Sequence, residues 1–367
     1  MRPVLITGGG TGGHVFPMQA IAEELMSRGV SSHDVYFVGS RRGQEGRLLR
    51  PLGIRLVLLP GRGISRSLLP TRIFDNLVSI AGLIVALLHE LVMVGWRRPS
   101  AVVSVGGYAS LASVLAALFW RRPIILVELD AHASAAQRVV LRAATRRCVP
   151  FLVDDGRAVV TGVPLREVIR QVDRSALAEW GSVARTATPF TIVVMTGSLG
   201  ARRVNQVVTE FARDLTHDQG LRIIHVTGSR DFSAISLATR ELTNTSSYEL
   251  CEFGDMARLW AVADLAVCRA GAITIGEITA LGIPSILVPL PGAPADHQSK
   301  NARVLVDAGA AILIRDEDLT ASVLAREVDH LRRSPETLSE MSRCARELGR
   351  LNAAAAIADV ILEVVGR

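Results

Sequence analysis

Five of the six residues Gly8-Gly9-Gly10-Thr11-Gly12-Gly13 are glycine, and His14 follows them directly. Glycine lets a backbone enter left-handed conformations and come close to a ligand. A helix opening there would present free N–H groups and a partial positive charge, which favours an anion such as a pyrophosphate. His14 at that helix start is favoured as the neutral imidazole, the form that can take a proton from a sugar hydroxyl. A hydrogen bond to a nearby carbonyl is the purely structural alternative. The glycine run alone also describes an ordinary strand-to-helix turn or a dinucleotide loop. A dinucleotide site asks for an acid closing the next strand, and here Val38 is followed by Gly39-Ser40-Arg41-Arg42.

The second half of the chain carries two more loops of this kind, Thr196 to Arg202 and Arg269-Ala270-Gly271-Ala272-Ile273-Thr274. Amides at a helix start, with Thr274, can hold a diphosphate. Glu277, one turn further on, can accept hydrogen bonds from a vicinal diol such as a ribose; as a first-turn acid it would merely complement the helix dipole. Asp296-His297-Gln298 can bind sugar hydroxyls or form a solvated loop.

Elements that position these loops follow from the periodicity. Aliphatic runs at Pro3–Thr7, Val35–Val38, Leu56–Leu59, Ala101–Val105 and Pro123–Glu128 read as strands. Between them lie helices, the first with Pro17 near its first turn and another opening at Gly106-Gly107-Tyr108. The pattern restarts with strands at Phe190–Met195, Leu221–Val226, Leu265–Cys268 and Ser285–Pro289. Strand–helix alternation implies parallel sheets, so the fold class is α/β, with two doubly wound, Rossmann-like domains facing across a cleft. Domains are expected over residues 1–163 and 164–344. An Ala-rich helix over 345–367 would cross back to the first.

Apolar residues make up 49 % and charged residues 21 % of the 367 residues, and aromatics only 4 %, a balance that suits sheets covered by helices on both faces. A net charge of +6 admits anionic lipid or a phosphorylated substrate. Nucleic acid is excluded as a partner by scattered arginines without interleaved aromatics. Four distant cysteines, Cys148, Cys251, Cys268 and Cys344, fit neither a disulfide framework nor a metal site and point to a cytoplasmic location. Leu77 to Leu88 is apolar and flanked by Arg72, Arg97 and Arg98. With His89 and Glu90 interrupting it, it reads as too short to span a bilayer: a core helix, or one lying on a membrane surface.

GGGTGGHVFP (8–17), SVGGYAS (104–110), TGVPLR (161–166), TGSLGARRVNQ (196–206), CRAGAITIGE (268–277) and DHQSKNA (296–302) together resemble the MurG family. These are the undecaprenyldiphospho-muramoylpentapeptide β-N-acetylglucosaminyltransferases of peptidoglycan synthesis. The resemblance runs nearly end to end. It implies a GT-B, inverting enzyme that uses no metal or other cofactor and moves N-acetylglucosamine from UDP-GlcNAc to lipid I, giving lipid II. Its location would be peripheral, on the cytoplasmic face of the cell membrane, with other cell-wall synthesis proteins open as partners. Arg166 and Ser198 would contact the UDP diphosphate, the backbone of Ala272, Ile273 and Thr274 the α-phosphate, Glu277 the ribose, and His297 and Gln298 the transferred sugar. Gly10, Thr11, Gly12, Gly13, Tyr108, Glu128 and Asp130 would face the acceptor, with His14 as base. Leu77, Ile80, Leu83, Ile84 and Leu87 would meet the membrane. The family's usual H-E-x-N is Val127-Glu128-Leu129-Asp130 here, a usual Gly and Asn are Ser134 and Gln137, and the Phe253–Met256 loop is one residue shorter. The first of these departures admits a different acceptor, or a binding protein without activity.

Overall fold

The computed structural model describes residues 2–9, 12–41, 45–50, 53–60, 70–175, 177, 180, 188–214, 220–242 and 247–366. The chain divides into two compact units, Met1–Arg166 with Leu351–Arg367, and Glu167–Arg350. Both are parallel α/β sheets, each strand an aliphatic run buried on two faces.

In the first unit the described strands are β1 (Val4–Thr7), β2 (Val35–Ser40), β3 (Arg55–Leu59), β4 (Ala101–Ser104), β5 (Ile124–Val127), β6 (Arg146–Val149) and β7 (Ala158–Val160). They lie in the order β3-β2-β1-β4-β5-β6-β7. Thr7 is level with Val38 on one side and Ser104 on the other, so the chain leaves β1 and β4 at the same edge. Helices α1 (Gly12–Ser27), α2 (Glu45–Leu48), α3 (Pro70–Arg97), α4 (Tyr108–Phe119) and α5 (Ala135–Val140) connect them. Leu5, Val102, Ile124 and Leu126 of the sheet pack with Ala86 and Val94 of α3 and Ala112 and Ala116 of α4.

The second unit has β8 (Phe190–Met195), β9 (Leu221–Val226), β10 (Tyr248–Cys251), β11 (Leu265–Cys268), β12 (Ser285–Leu287) and β13 (Ala311–Leu313), in the order β10-β9-β8-β11-β12-β13. Strands β6, β7, β10 and β13 escape a sequence reading for identifiable reasons. β7 and β13 are three residues long, and β6 and β10 carry Arg147 and Glu249 within their runs.

Three expectations need correction. Helix α1 begins at Gly12, so Pro17 lies inside it rather than in its first turn. The missing N–H there removes the helical bond that would run to the Gly13 carbonyl. The C-terminal segment is two helices, Pro335–Leu348 and Ala353–Gly366, not one from Ala345. Gly349 separates them, pressed on the Thr279–Ala280 backbone so closely that a Cβ would lie 2.4 Å from the Thr279 carbonyl oxygen. The last helix then packs on α1, where Arg28 pairs with Asp359 and donates to the Ala355 carbonyl at 3.1 Å.

The third correction concerns α3. It is one 28-residue helix, and its stretch Ser79–Arg97 is long and apolar enough to cross a membrane by length and composition. Glu90 does not interrupt the outer face because it points inward. Its carboxylate is fully buried and accepts the Ser113 hydroxyl of α4 at 2.8 Å; Ser113 in turn lies 3.2 Å from the Thr7 hydroxyl. The exposed face carries Ile80, Ile84, Val85, Leu88, Val92 and Trp96, the last 74 % exposed. Leu83 and Leu87 instead pack against the core.

Burial raises the affinity of Glu90 for a proton, opposed by hydrogen bonds from Ser113 and His89. A carboxyl whose folded pKa lies above its unfolded value stabilises fully below the unfolded value, and that stability is lost as pH rises through the folded one. Glu90→Gln cannot ionise, so its melting temperature at pH 7.5 is expected to equal or exceed wild type by about 2–4 °C. A Glu90→Gln melting temperature below that of wild type at pH 7.5 would contradict this.

Candidate active site

Parallel sheets bind ligands beyond the carboxyl ends of their strands, where the strand order reverses and neighbouring connections diverge. In the first unit that point lies between β1 and β4, and in the second between β8 and β11. The loops leaving those four strands are the glycine-rich ones.

At the first switch point backbone meets backbone. Gly107 (φ +85°) lies against Gly9, so that a Cβ on it would sit 2.4 Å from the Gly9 carbonyl oxygen. Gly106 (φ +102°) lies against the His14 imidazole; a Cβ there would be 3.4 Å from both Cδ2 and Nε2. His14 thus stands half-buried on the first turn of α1, edge-on to the β4–α4 loop. Gly12 and Gly13 open that helix, while Gly10 and Thr11 lie outside the described residues. Arg166 ends the first segment of this unit, its guanidinium over the Phe16 ring of α1 at 4.4 Å. Glu45, which no motif singled out, is fully buried behind the loop and accepts the Ser40 N–H at 2.9 Å. An acid five residues past a strand end has no periodic signature.

At the β5–α5 corner Glu128 is 2 % exposed and accepts Arg147 Nε at 2.7 Å, and Arg147 also pairs with Asp155. The Arg157 backbone N–H, with Arg147, holds the Asp155 carboxyl below the usual carboxylate range, and the hydrogen bond to Glu128, with that to Asp155, raises the Arg147 guanidinium above its own. Asp130 is half-buried, and Tyr108 opens α4 with its side chain outside the described residues. Ser134 and Gln137, the two departures, form a reciprocal capping box on α5. The Gln137 amide then donates to the Val127 carbonyl at 3.0 Å and lies 3.8 Å from where a Gly106 Cβ would be.

In the second unit the β8 and β9 loops interlock. A Cβ on Gly228 (φ +74°) would lie 2.4 Å from both the Gly197 carbonyl oxygen and the Gly200 nitrogen. Ser198 is exposed at the tip, its carbonyl accepting the Ser229 N–H at 3.2 Å. Behind them Asn205 donates to the Thr227 carbonyl at 3.1 Å and to Asp231 at 2.9 Å. Its amide oxygen therefore faces His225 Nε2, at 2.9 Å. Nε2 must carry the proton, which leaves Nδ1 to accept the Tyr248 hydroxyl at 2.8 Å. Burial lowers the His225 pKa from 6.5 to about 3.

The β11 loop leads into the helix Ala272–Leu281, whose N-cap Gly271 supplies no side-chain cap. The amides of Ala272, Ile273 and Thr274 thus face outward without an intrahelical acceptor. The loop is pinned from behind: Arg269 donates to the Val288 and Pro289 carbonyls at 3.0 Å and pairs with Asp316, and Asn301 donates to the Ala270 carbonyl at 3.1 Å. Glu277 is 4 % exposed and accepts the Trp260 indole N–H at 2.8 Å, which fixes its carboxylate plane. Ala295 and Asp296 both adopt φ near +54° (54° and 53°), strained for residues with a Cβ. The strain aims the following turn, where His297 Nδ1 donates to the Pro294 carbonyl at 2.8 Å and Gln298 accepts the Leu290 N–H at 2.9 Å. Burial pushes the Cys148 and Cys268 thiols up to about 12, too high for a nucleophile at neutral pH. The Leu77 side chain lies outside the described residues.

Comparison with known proteins matches both units. Residues 4–149 match the glycosyltransferase family 28 N-terminal domain and residues 191–361 its C-terminal domain. The UDP-N-acetylglucosamine–N-acetylmuramyl-(pentapeptide) pyrophosphoryl-undecaprenol N-acetylglucosamine transferase of Alkalilimnicola ehrlichii is 39 % identical over 366 residues, covering 98 % of each chain. The protein of the same name from Syntrophus aciditrophicus is 36 % identical, covering 99 % of this chain and 98 % of its own. The crystal structure of Acinetobacter baumannii MurG superposes with a TM-score of 0.75 at 28 % identity, over 98 % of this chain and 99 % of that one.

Unfolded His225 takes up a proton near 6.5, and the folded residue stays neutral to about 3. Its contribution to stability is complete above pH 6.5 and is lost as pH falls towards 3. The melting temperature is expected to fall over this range, and more shallowly in His225→Gln, which cannot titrate. Equal slopes in the two proteins would rule His225 out as the source.

Proposed function

We propose, from the premise that the chain belongs to the MurG family within glycosyltransferase family 28, that it transfers N-acetylglucosamine from UDP-GlcNAc to the C4 hydroxyl of the muramyl sugar of lipid I. The product is lipid II, for peptidoglycan synthesis. One observation of geometry carries the reading: an uncapped helix start at Ala272–Thr274 followed by a buried, oriented carboxylate at Glu277. Those are the two features that a nucleoside diphosphate sugar requires, amides for the diphosphate and an acceptor for the ribose diol.

The reaction is a single displacement. The acceptor hydroxyl attacks the anomeric carbon as UDP departs, and the configuration inverts from α to β. Negative charge grows on the diphosphate, where the Ala272–Thr274 amides stabilise it without reorganising. Arg166 and Ser198 add a cation and a hydroxyl. His14 receives the hydroxyl proton, and the loop before it faces the acceptor diphosphate. His297, its Nδ1 engaged with Pro294, keeps Nε2 as the sugar-facing acceptor beside Gln298.

A lipid-linked acceptor requires the enzyme to reach a membrane. The exposed apolar face of α3, with Arg97 in its last turn, suits a helix lying in the interfacial plane on the cytoplasmic side. Leu88→Glu with Val92→Glu is expected to abolish co-sedimentation with phosphatidylglycerol vesicles. Undiminished binding would remove this face from the reading.

The central test is transfer of labelled sugar from UDP-GlcNAc to lipid I with EDTA present. Wild type is expected to form product, and His14→Ala to lower kcat by about 10²–10⁴. Glu277→Ala is expected to raise the donor KM, and Trp260→Phe to raise it by about tenfold through loss of a charged hydrogen bond of roughly 1.5 kcal/mol. UDP-GlcNAc binding without product in wild type would sink the lipid I assignment.

A further inference from the structure

We infer that Glu45 is a positioning residue for acceptor binding, its buried carboxylate setting the backbone course of Gly9 and thereby the loop that meets the acceptor diphosphate. The inference rests on the assignment of that loop to the acceptor.

Glu45 is the first residue of α2 and is fully buried. Its Oε1 takes the Ser40 N–H at the end of β2, at 2.9 Å. The same oxygen presses on Gly9: a Cβ there would lie 2.1 Å from it, and one on Gly39 would lie 2.8 Å from Glu45 Cγ. On its other side Gly9 meets Gly107, so its peptide is clamped between a carboxylate and a second glycine backbone. Two positions at the ends of adjacent strands have thus given up their side chains to seat one carboxyl group.

Withdrawing a carboxylate from water is costly, and terminating β2 does not demand it, since one amide can be satisfied by a small exposed side chain. Its charge cannot be what the acceptor uses, because a negative group behind an anion-binding loop repels a diphosphate. What remains is shape. A role in shape predicts a pattern opposite to an electrostatic one: the neutral isostere should serve as well as the acid, and truncation should not. A residue that only caps β2 would lower stability and leave substrate affinity alone.

The test uses the full chain, UDP-GlcNAc and a short-chain lipid I analogue, with each substrate varied in turn. Glu45→Gln is expected to keep the acceptor KM within about threefold of wild type. Glu45→Ala is expected to raise it about tenfold or more, with the donor KM within about twofold. Hydrogen exchange should rise in Glu45→Ala over residues 4–18 and 104–110, and not in Glu45→Gln. Acceptor KM and exchange both unchanged in Glu45→Ala would overturn the inference, as would equal rises in both KM values. If wild type transfers nothing to the analogue, the lipid I assignment fails, while the exchange comparison still decides whether Glu45 holds the loop.

Discussion

Close approach of backbone to backbone at the carboxyl ends of the sheets governs what each unit can bind. Gly107 on Gly9 and Gly228 on Gly197 and Gly200 are contacts that no side chain could survive. Each brings two loops together at a switch point and leaves amides, rather than side chains, lining the crevice. Amides suit diphosphates, whose charge is spread over several oxygens and whose recognition needs many modest donors. The second unit adds the uncapped start of Ala272–Leu281. Backbone close approach at a switch point is thus common to both units.

Loops built from glycine have little to hold them, and in both units the restraint comes from buried polar groups behind. Thr7, Ser113 and Glu90 tie the root of the first loop to α4 and α3. Asn205, His225 and Tyr248 do the same beneath Ser198. Trp260 fixes Glu277, and Arg269 fixes its own loop through two carbonyls and Asp316. Buried polar groups like these are costly when half-satisfied and rigid when complete. The second condition holds for His225, whose two ring nitrogens each have a partner of the right sense.

Much of this arrangement is legible in the sequence because it is local. Strands β8, β9 and β11 match their aliphatic runs residue for residue, and each glycine loop sits where a strand pattern gives way to a helical one. Glu277 and His14 are readable from their distance to a helix start. What escapes is non-local. Nothing in the sequence ties Glu90 to Ser113, so it reads as a break in an apolar helix rather than the anchor of its inner face. The pairing of Glu128 escapes the sequence because its partner Arg147 lies nineteen residues away on a strand too charged to recognise. Glu45 belongs to no motif at all; only Gly9 and Gly39, brought together by β1–β2 pairing, reveal what it touches.

The departures at the β5–α5 corner follow the same logic and amount to one coupled change. A Ser and a Gln at the cap and third positions of a helix satisfy each other's backbone donors, as glycine at the cap cannot. The longer Gln137 side chain accepts from Ser134 with its oxygen and so turns its nitrogen towards the Val127 carbonyl. Val127 itself is apolar and fully buried, so at the end of β5 the carbonyl offers the polar contact and the side chain does not. Gln137 and His14 then flank Gly106 together. What the corner supplies is rigidity: a helix start satisfied by its own side chains, tied to the end of β5 and set beside Gly106.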